Sequence, residues 1–358
     1  MVATDDLRDR YDFLDWLRVI AISVLFFFHA GMIFVGWGWH IVNDETIPSL
    51  QWPMDITHRL RMPLLFVIAG AGMWFALRRR TTEQFLRERT KKLVLPLIAG
   101  ASLVLPPQVY YEWRLQGQWN LSWHHLWFIL YLYVYILLLL PLMLWWKRTA
   151  RHIAPGTWLF LLGVPLGINE HLLKPLFPET HNLVGDWYIF NHYLLLTTYG
   201  YLMASTPDMW KWLCRFRRWS LVMGMAVFVL LISGFNTGVI SHDSIADHLG
   251  ANIFTWLWVM VFLGYGYRYL SFANPLLIWA REASYPIYIL HQTVIVGVGY
   301  YVVQYEWMPW TKYVAIVVLS MGASFVLYEG CVRRFAWLRL AFGMKTPSGG
   351  VSHDATPR

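Results

Sequence analysis

Residues 123–146 read WHHLWFILYLYVYILLLLPLMLWW, a run without any Asp, Glu, Lys or Arg. As an α-helix this run would be about 36 Å long, at about 1.5 Å per residue. The hydrocarbon core of a bilayer is about 30 Å thick and is crossed by about 20 apolar residues. The run therefore predicts a transmembrane helix.

Similar apolar runs recur through the whole chain. Of its 358 residues, 57% are hydrophobic and 14% are charged, whereas soluble domains carry about 25% charged residues. We therefore predict an all-α polytopic membrane protein with about ten transmembrane helices. The predicted spans lie near 13–37, 56–77, 93–112, 123–146, 156–174, 186–205, 219–239, 249–270, 282–303 and 312–332.

The Lys and Arg residues between these spans alternate between two sides. One set of segments, which includes both ends of the chain, carries 23 of them, and the other carries only Arg114, Lys174 and Lys312. Cytoplasmic loops are the ones enriched in Lys and Arg, so we predict that both termini are cytoplasmic. Topology and contact with anionic lipids then explain the net charge of +8 without nucleic acid as a partner.

The domain organisation is simple. No connecting segment is long enough to fold on its own, so residues 1–344 are predicted to form a single integral membrane domain. The tail at 345–358 is rich in Gly, Ser, Thr and Pro and is predicted to be a disordered cytoplasmic extension. The basic segment 78–92 is expected to be partly helical.

Ionisable residues inside a membrane are costly and mark either function or contacts between helices. In the first predicted helix, Arg18 and His29 lie 11 positions apart, within about 20° of the same face at about 100° per residue. Their separation along the axis is about 16 Å. They would line one continuous slot, with a cation at its cytoplasmic mouth and an imidazole inside. Alternatively, Arg18 reaches lipid head groups and His29 hydrogen-bonds a neighbouring helix.

Two other predicted helices carry polar residues near their outer ends. The second contains Arg59 and Arg61, and we expect one of them to turn inward to a buried partner. The fourth begins with His124 and His125, which point about 100° apart, so at most one faces a given site. We expect no metal there, because the sequence suggests no further ligands.

The last two predicted helices contain the remaining candidates. Tyr288 and His291 share a face at i,i+3, and Glu329 can pair with Arg333 at i+4 near the cytoplasmic end. A packing role for His291 is an equally good reading. The chain has no Walker loop, dinucleotide fingerprint, zinc-helix motif or nucleophile elbow, so nothing supports a soluble-enzyme function.

Six short motifs stand in order along the chain. They are FLDWLR at 13–18 with FH at 28–29, RMP at 61–63 with FVIAG at 66–70, Arg89 with Lys92 and Pro96, HLWF at 125–128, ASY at 283–285 with Ile287, Tyr288 and His291, and LYE at 327–329. With these motifs the chain resembles the acyltransferase 3 superfamily from about Phe13 to Phe342. Within it the chain looks most like the glucan biosynthesis protein C (glucan succinyltransferase) branch.

The resemblance implies an enzyme of the bacterial inner membrane that is acyl-CoA-dependent. It would move an acyl group, succinyl or acetyl, to a hydroxyl of an extracytoplasmic glycan such as a periplasmic glucan. No tightly bound cofactor and no metal are implied, since acyl-CoA is a co-substrate. A homo-oligomer is compatible with the resemblance.

The resemblance also suggests residue roles. Arg18, Arg89 and Lys92 would bind the phosphates of acyl-CoA, and His29 would act as general base on the acceptor hydroxyl. The remaining candidates would bind substrate, supply oxyanion donors or hold a cation in place; they are Arg61, His125, Tyr288, His291 and Glu329. Two positions depart from the family pattern: the cytoplasmic basic pair, usually two Arg, is Arg89 and Lys92 here, and Ala69 stands where Ser is usual.

Two other functions fit the intramembrane charges. A proton-coupled secondary transporter or glycan exporter also uses His, Arg and Glu inside the membrane. Such transporters often consist of repeated halves with broken helices in matching positions, and the sequence has no such symmetry. A non-catalytic membrane subunit is the third alternative, against which the retained Arg18 and His29 argue.

Overall fold

A computed structural model describes residues 11–117, 119, 122–149 and 153–344. These residues form helices and no strands, and helix accounts for 79% of the structure. The α-helices are α1 (Asp12–Met32), α2 (Gln51–Arg78), α3 (Thr82–Ala99), α4 (Leu105–Gln116), α5 (Trp127–Thr149), α6 (Gly163–Leu173), α7 (Trp187–Ser205), α8 (Met209–Asn236), α9 (Ile245–Tyr269), α10 (Pro275–Val302), α11 (Pro309–Leu327) and α12 (Ala336–Ala341).

Seven helical segments in the described residues are long and apolar enough to cross a membrane. They are Asp12–Met32, Pro48–Arg78, Thr82–Gln116, His124–Thr149, Met209–Asn236, Ile245–Tyr269 and Pro309–Val332. The other predicted spans coincide with α6, α7 and α10. The all-helical, multi-pass prediction is confirmed, whereas the count of ten and the side of the termini stay predictions. The tail at 345–358 lies outside the described residues.

Local sequence signals explain several helix boundaries. Thr81 and Gln84 form a capping box that begins α3, which confirms that segment 78–92 is partly helical. A π-helical turn at Gly100–Val104 joins α3 to α4. Helix α1 ends at Met32, before the predicted residue 37, because the following turn uses Gly36 and Gly38 at φ of +71° and +68°.

One end of the helix bundle, here called the inner end, collects the predicted cytoplasmic residues. Arg281 forms ion pairs with Asp12 and Asp15 and so joins α10 to α1. Lys147 donates to the carbonyl oxygen of Leu77 at 2.7 Å. These contacts tie the start of α1 to α10, and the end of α5 to the end of α2.

The opposite end, here called the outer end, is equally tied together. His40 contacts Glu112 at 2.8 Å between Nδ1 and Oε1, which joins the loop after α1 to α4. Lys312 donates to Asn43 at 2.9 Å and joins α11 to the same loop. The chain therefore separates its polar contacts between two faces with an apolar bundle between them.

Helices α2 and α7 pack backbone to backbone through a pair of glycines. A Cβ placed on Gly70 would lie 2.0 Å from the carbonyl oxygen of Thr197, and one on Gly200 would lie 2.0 Å from that of Val67. Only glycine permits this approach, which is typical of helix contacts in membranes. The contact fixes α2, the helix that carries Arg61, against the centre of the bundle.

Candidate active site

A small cavity near the outer end brings several histidines together. This cavity, here called the histidine cavity, has a volume of about 170 Å³. Its walls come from α1, α2, α5, α10 and the loops at the outer end. They are formed by Leu25, His29, Trp39, His40, Arg61, Met62, His124, His125, Trp127, His181, Tyr288, His291 and Gln292. Five of the residues predicted from the sequence, His29, Arg61, His125, Tyr288 and His291, therefore meet in one place.

His29 is held between two flat rings. Its imidazole stacks on Trp39 with ring centroids 5.5 Å apart and lies 5.2 Å from the ring of His291. The side chain is 9% exposed, and its Nδ1 has no hydrogen-bond partner among the described residues. The ring is thus fixed in position while a nitrogen remains available for a substrate proton.

The hydrogen bonds of the other two histidines assign their tautomers. His291 Nδ1 lies 2.5 Å from the carbonyl oxygen of Tyr288 and must donate to it, which leaves Nε2 as an unprotonated acceptor in the neutral ring. That Nε2 is buried without a partner in the described part of the chain. His125 Nε2 donates to the carbonyl oxygen of Ile289 at 2.8 Å, which leaves its Nδ1 as the acceptor.

Of the three predicted oxyanion donors, Arg61 is the best suited. The Tyr288 hydroxyl already donates to the carbonyl oxygen of His125, and neutral His291 offers an acceptor. Arg61 lies over the ring of Phe28 at 4.0 Å from its centroid. Its Nε and Nη1 are buried and have no hydrogen-bond partner within the described residues. A buried guanidinium with two unused donors is suited to a developing negative charge.

A second cavity, here called the basic cavity, opens at the inner end. It has a volume of about 490 Å³ and contains the three predicted acyl-CoA contacts Arg18, Arg89 and Lys92. Arg79 and Arg80 also line it, so that five basic side chains face two acidic ones. Arg79 and Arg80 were not predicted as contacts, although the run of three arginines at 78–80 could have indicated them.

The basic side chains are only partly neutralised. Arg18 pairs with Asp15, Lys92 donates to Glu88 at 2.6 Å, and Arg89 donates to the carbonyl oxygen of Gly72 at 3.1 Å. The Nε atoms of Arg18 and Arg89 have no hydrogen-bond partner in the described residues. The cavity therefore retains donors and positive charge for an anionic ligand.

The expectation of one continuous slot between Arg18 and His29 is wrong. The histidine cavity and the basic cavity share no lining residue. Ile22 and Leu25 lie on the same face of α1 between the two side chains, and both are buried. Their apolar side chains, together with Ile68 of α2, occupy the volume that the slot would need.

Glu329 lies apart from both cavities. It accepts from Arg333 at 2.8 Å and from the indole nitrogen of Trp279 at 2.6 Å. The predicted i,i+4 pair with Arg333 is confirmed. The cation that Glu329 holds is therefore Arg333, whereas Arg18 pairs with Asp15. The contacts of Glu329 join α11 to α10 and give it a structural role.

A possible metal-ligand group includes two residues of the wall of the histidine cavity, His40 and His124. His40, Glu112 and His124 present ligand atoms within 4.8 Å of one another. The sequence did not predict this group, because His40 comes from a loop and Glu112 from the end of α4. The 2.8 Å contact between His40 and Glu112 also has an ordinary explanation as an ion pair.

Comparisons with known proteins agree with the resemblance inferred from the motifs. A family model described as an acyltransferase domain, of the acyltransferase 3 type, matches residues 11–329. The chain is 23% identical to glucans biosynthesis protein C of Salmonella heidelberg, over 94% of this chain and 96% of that protein. It is 22% identical to the proteins of that name from Salmonella schwarzengrund and Salmonella typhi, with the same coverage. No solved structure matches the chain.

Proposed function

Because the chain belongs to the acyltransferase 3 family, we propose that this membrane acyltransferase moves an acyl group from cytoplasmic acyl-CoA to a hydroxyl of an extracytoplasmic glycan. The bacterial inner membrane would be its location, and a periplasmic glucan is the leading acceptor, because similar proteins are named for glucan biosynthesis. The observation that carries the proposal is the pairing of a buried imidazole site with a basic cavity at the opposite end.

The basic cavity suits the nucleotide part of the donor. Acyl-CoA carries several phosphate charges, and charge-assisted hydrogen bonds to Arg and Lys are the usual way to bind them. Arg18, Arg89 and Lys92 would make these contacts, with Arg79 and Arg80 adding charge. When the phosphates enter, they would replace Asp15 as the partner of Arg18 and Glu88 as the partner of Lys92.

The histidine cavity suits the transfer step. His29 would accept the proton of the acceptor hydroxyl as its oxygen attacks the thioester carbonyl carbon. Arg61 would stabilise the oxyanion of the tetrahedral intermediate. The intermediate then collapses: the new ester C–O bond remains, the C–S bond breaks, and the CoA thiolate takes the proton from the His29 imidazolium. No covalent acyl-enzyme is needed.

The donor arm has to cross the apolar layer between the two cavities. Arg18 and His29 are about 16 Å apart along α1, and Ile22 and Leu25 lie between them. The proposal therefore requires α1 and α2 to separate enough for the pantetheine arm to enter when CoA binds. Such gating motions precede chemistry in many enzymes.

Transfer of label tests the function directly. The purified protein in lipid nanodiscs is incubated with radiolabelled succinyl-CoA or acetyl-CoA and a periplasmic glucan fraction, and label on the glucan is measured. We expect label with wild type and with a His171→Ala control, since His171 lines neither cavity. His29→Ala should abolish most of it. Transfer at the wild-type rate by His29→Ala protein would exclude the proposed base.

A proton-coupled transporter or glycan exporter is the second candidate. Two cavities at opposite ends, separated by an apolar layer, are also compatible with alternating access. An exporter would move a glycan across proteoliposomes without modifying it. Unlabelled glycan on the far side of the membrane, with no use of acyl-CoA, would favour the exporter.

A further inference from the structure

A third cavity, here called the outer cleft, lies at the outer end beside the histidine cavity. It has a volume of about 480 Å³, within the usual range of ligand sites of about 300–1,000 Å³. None of the residues assigned from the sequence lines it. Its polar and aromatic walls include Trp52, His58, Glu170, Glu179, His192 and Asn252.

The charge of the outer cleft differs from that of the basic cavity. Four carboxylates line it, from Asp55, Glu170, Glu179 and Asp247, against the two cations of Arg59 and Lys174. An excess of carboxylates repels a polyanion, whereas carboxylates accept hydrogen bonds from hydroxyl groups and an amide can both accept and donate them. Aromatic rings at the wall offer flat apolar surfaces. This combination favours a neutral ligand with many hydroxyls.

The floor of the cleft contains a buried polar group with unused capacity. His192 on α7 is 6% exposed, and its Nδ1 has no hydrogen-bond partner among the described residues. Beside it, Glu170 accepts from Asn252 at 2.7 Å and from Lys174 at 2.9 Å, so the carboxylate is held in place. A buried nitrogen without a partner next to a fixed carboxylate is typical of a site that receives a ligand.

Only a thin wall separates the outer cleft from the histidine cavity. Glu179 lines the cleft, His181 lines the histidine cavity, and the two side chains contact each other at 3.1 Å. Asp186 fixes this loop by accepting from the backbone nitrogen of His181 at 2.8 Å and from the hydroxyl of Tyr131 at 2.7 Å. Backbone strain at His181, with φ of +55°, fits a functional loop.

Glu179 in this wall is a charged hydrogen-bond acceptor. Desolvation acts to raise the pKa of Glu179, but the hydrogen bond and charge of His181, together with the charge of His58, lower it to about 2. Glu179 is therefore ionised at neutral pH. His58, which also lines the cleft, stacks on Phe28 of α1 with ring centroids 5.8 Å apart. A ligand in the cleft is therefore separated from the histidine cavity by the side chains of Glu179 and His181.

We propose that the outer cleft binds the acceptor as a neutral glycan chain and presents one of its hydroxyls to His29 past the Glu179–His181 wall. The assignment rests on the proposed function, because it identifies the acceptor site of that reaction. It adds a binding surface for that acceptor, which includes Trp52 at the mouth and His192 at the floor.

Direct binding tests the cleft independently of catalysis. The protein in nanodiscs is titrated with laminaritetraose, a neutral gluco-oligosaccharide, and with a heparin tetrasaccharide as a polyanion of similar length. The variants are Trp52→Ala and the matched control Trp307→Ala. Both tryptophans are exposed at the outer end, and only Trp52 lines the cleft. A melting curve of each variant establishes that it is folded.

We expect the neutral oligosaccharide to bind and the polyanion not to bind. Trp52→Ala should weaken binding by about tenfold or more, as loss of an aromatic contact commonly does, and Trp307→Ala should leave it unchanged. Equal affinity in Trp52→Ala and wild type, stronger binding of the heparin tetrasaccharide, or no binding of laminaritetraose would each overturn the assignment.

The outcomes distinguish a failure of the cleft assignment from a failure of the proposed function. Binding as expected without any transfer of label from acyl-CoA would keep the glycan site and reject the acyltransferase reaction. Transfer of label with an unchanged acceptor KM in Trp52→Ala would keep the reaction and reject the cleft as its acceptor site.

Discussion

Replacement of His29 by alanine tests whether the histidine cavity holds one base or two. General-base catalysis contributes about 10²–10⁴-fold to a rate. The ring of His291 lies 5.2 Å from that of His29, and its Nε2 is an acceptor without a partner in the described residues. His291 can therefore take over part of the proton transfer. We expect His29→Ala to lower kcat by about 10²–10³-fold, or about 3–4 kcal/mol.

The His291→Ala variant completes the comparison. Alone it should lower kcat less than about tenfold, because His29 remains. With both imidazoles removed, the loss should reach about 10⁴-fold, the upper range for a general base. The alternative is that the two rings act as one unit, in which case each single variant loses as much as the pair.

The assay is single-turnover transfer from radiolabelled acyl-CoA to a glucan acceptor in nanodiscs. Acyl-CoA affinity is measured separately, so that a loss of rate is attributed to the chemical step. His171→Ala serves as the control for removal of an imidazole. Equal losses in both single variants and in the double variant would refute a substitute base. More than a tenth of wild-type activity in His29→Ala would refute the assignment of His29 itself.

Three further predictions follow from individual contacts. Arg18→Ala should weaken acyl-CoA binding by about tenfold at low salt and less at high salt, measured by titration with Arg114→Ala as control, because phosphate contacts are charge-assisted and screened. Gly70→Ala should lower the free energy of unfolding in detergent by about 1–3 kcal/mol, since its Cβ meets a carbonyl oxygen, whereas Gly72→Ala meets nothing and should not. Glu179 has its pKa lowered to about 2, so its stabilisation is complete above an unfolded-state pKa of about 4.3 and is lost as pH falls toward the folded-state value. The stability difference between wild type and Glu179→Gln should therefore shrink on acidification; a constant difference would contradict the assigned ion pair.

The sequence predicted the helices well and the cavities poorly. Long apolar runs without charges can only be helices in a bilayer, so each predicted span coincides with a helical segment. The spacing of Arg18 and His29 correctly placed both on one face of α1. Helical periodicity identifies a face, however, and says nothing about empty volume. Ile22 and Leu25 share that same face, and only their packing against α2 determines that the slot is closed.

Helical periodicity could not predict the positions of the loop residues in the histidine cavity. Trp39 and His40 follow the glycine turn after α1, and His181 lies in a loop fixed by Asp186. Their positions depend on tertiary contacts between segments far apart in the chain, and a single sequence contains no pattern that pairs them. The proton positions on His125 and His291 likewise depend on which carbonyl oxygens lie nearby.

An apolar layer between the two cavities is what the proposed transfer across a membrane would require. A permanently open slot from the basic cavity to His29 would connect both faces of the bilayer through a polar path and would give water access to the thioester. Buried Ile22 and Leu25 close that path while no donor is bound. Separating Ile22 and Leu25 from their neighbours would expose apolar surface, which costs about 25 cal/mol per Å². Contacts between CoA and the basic cavity would supply that free energy. Binding of the nucleotide would then be coupled to entry of the acyl group, so that loss of Arg18 would lower the rate of transfer even at saturating donor.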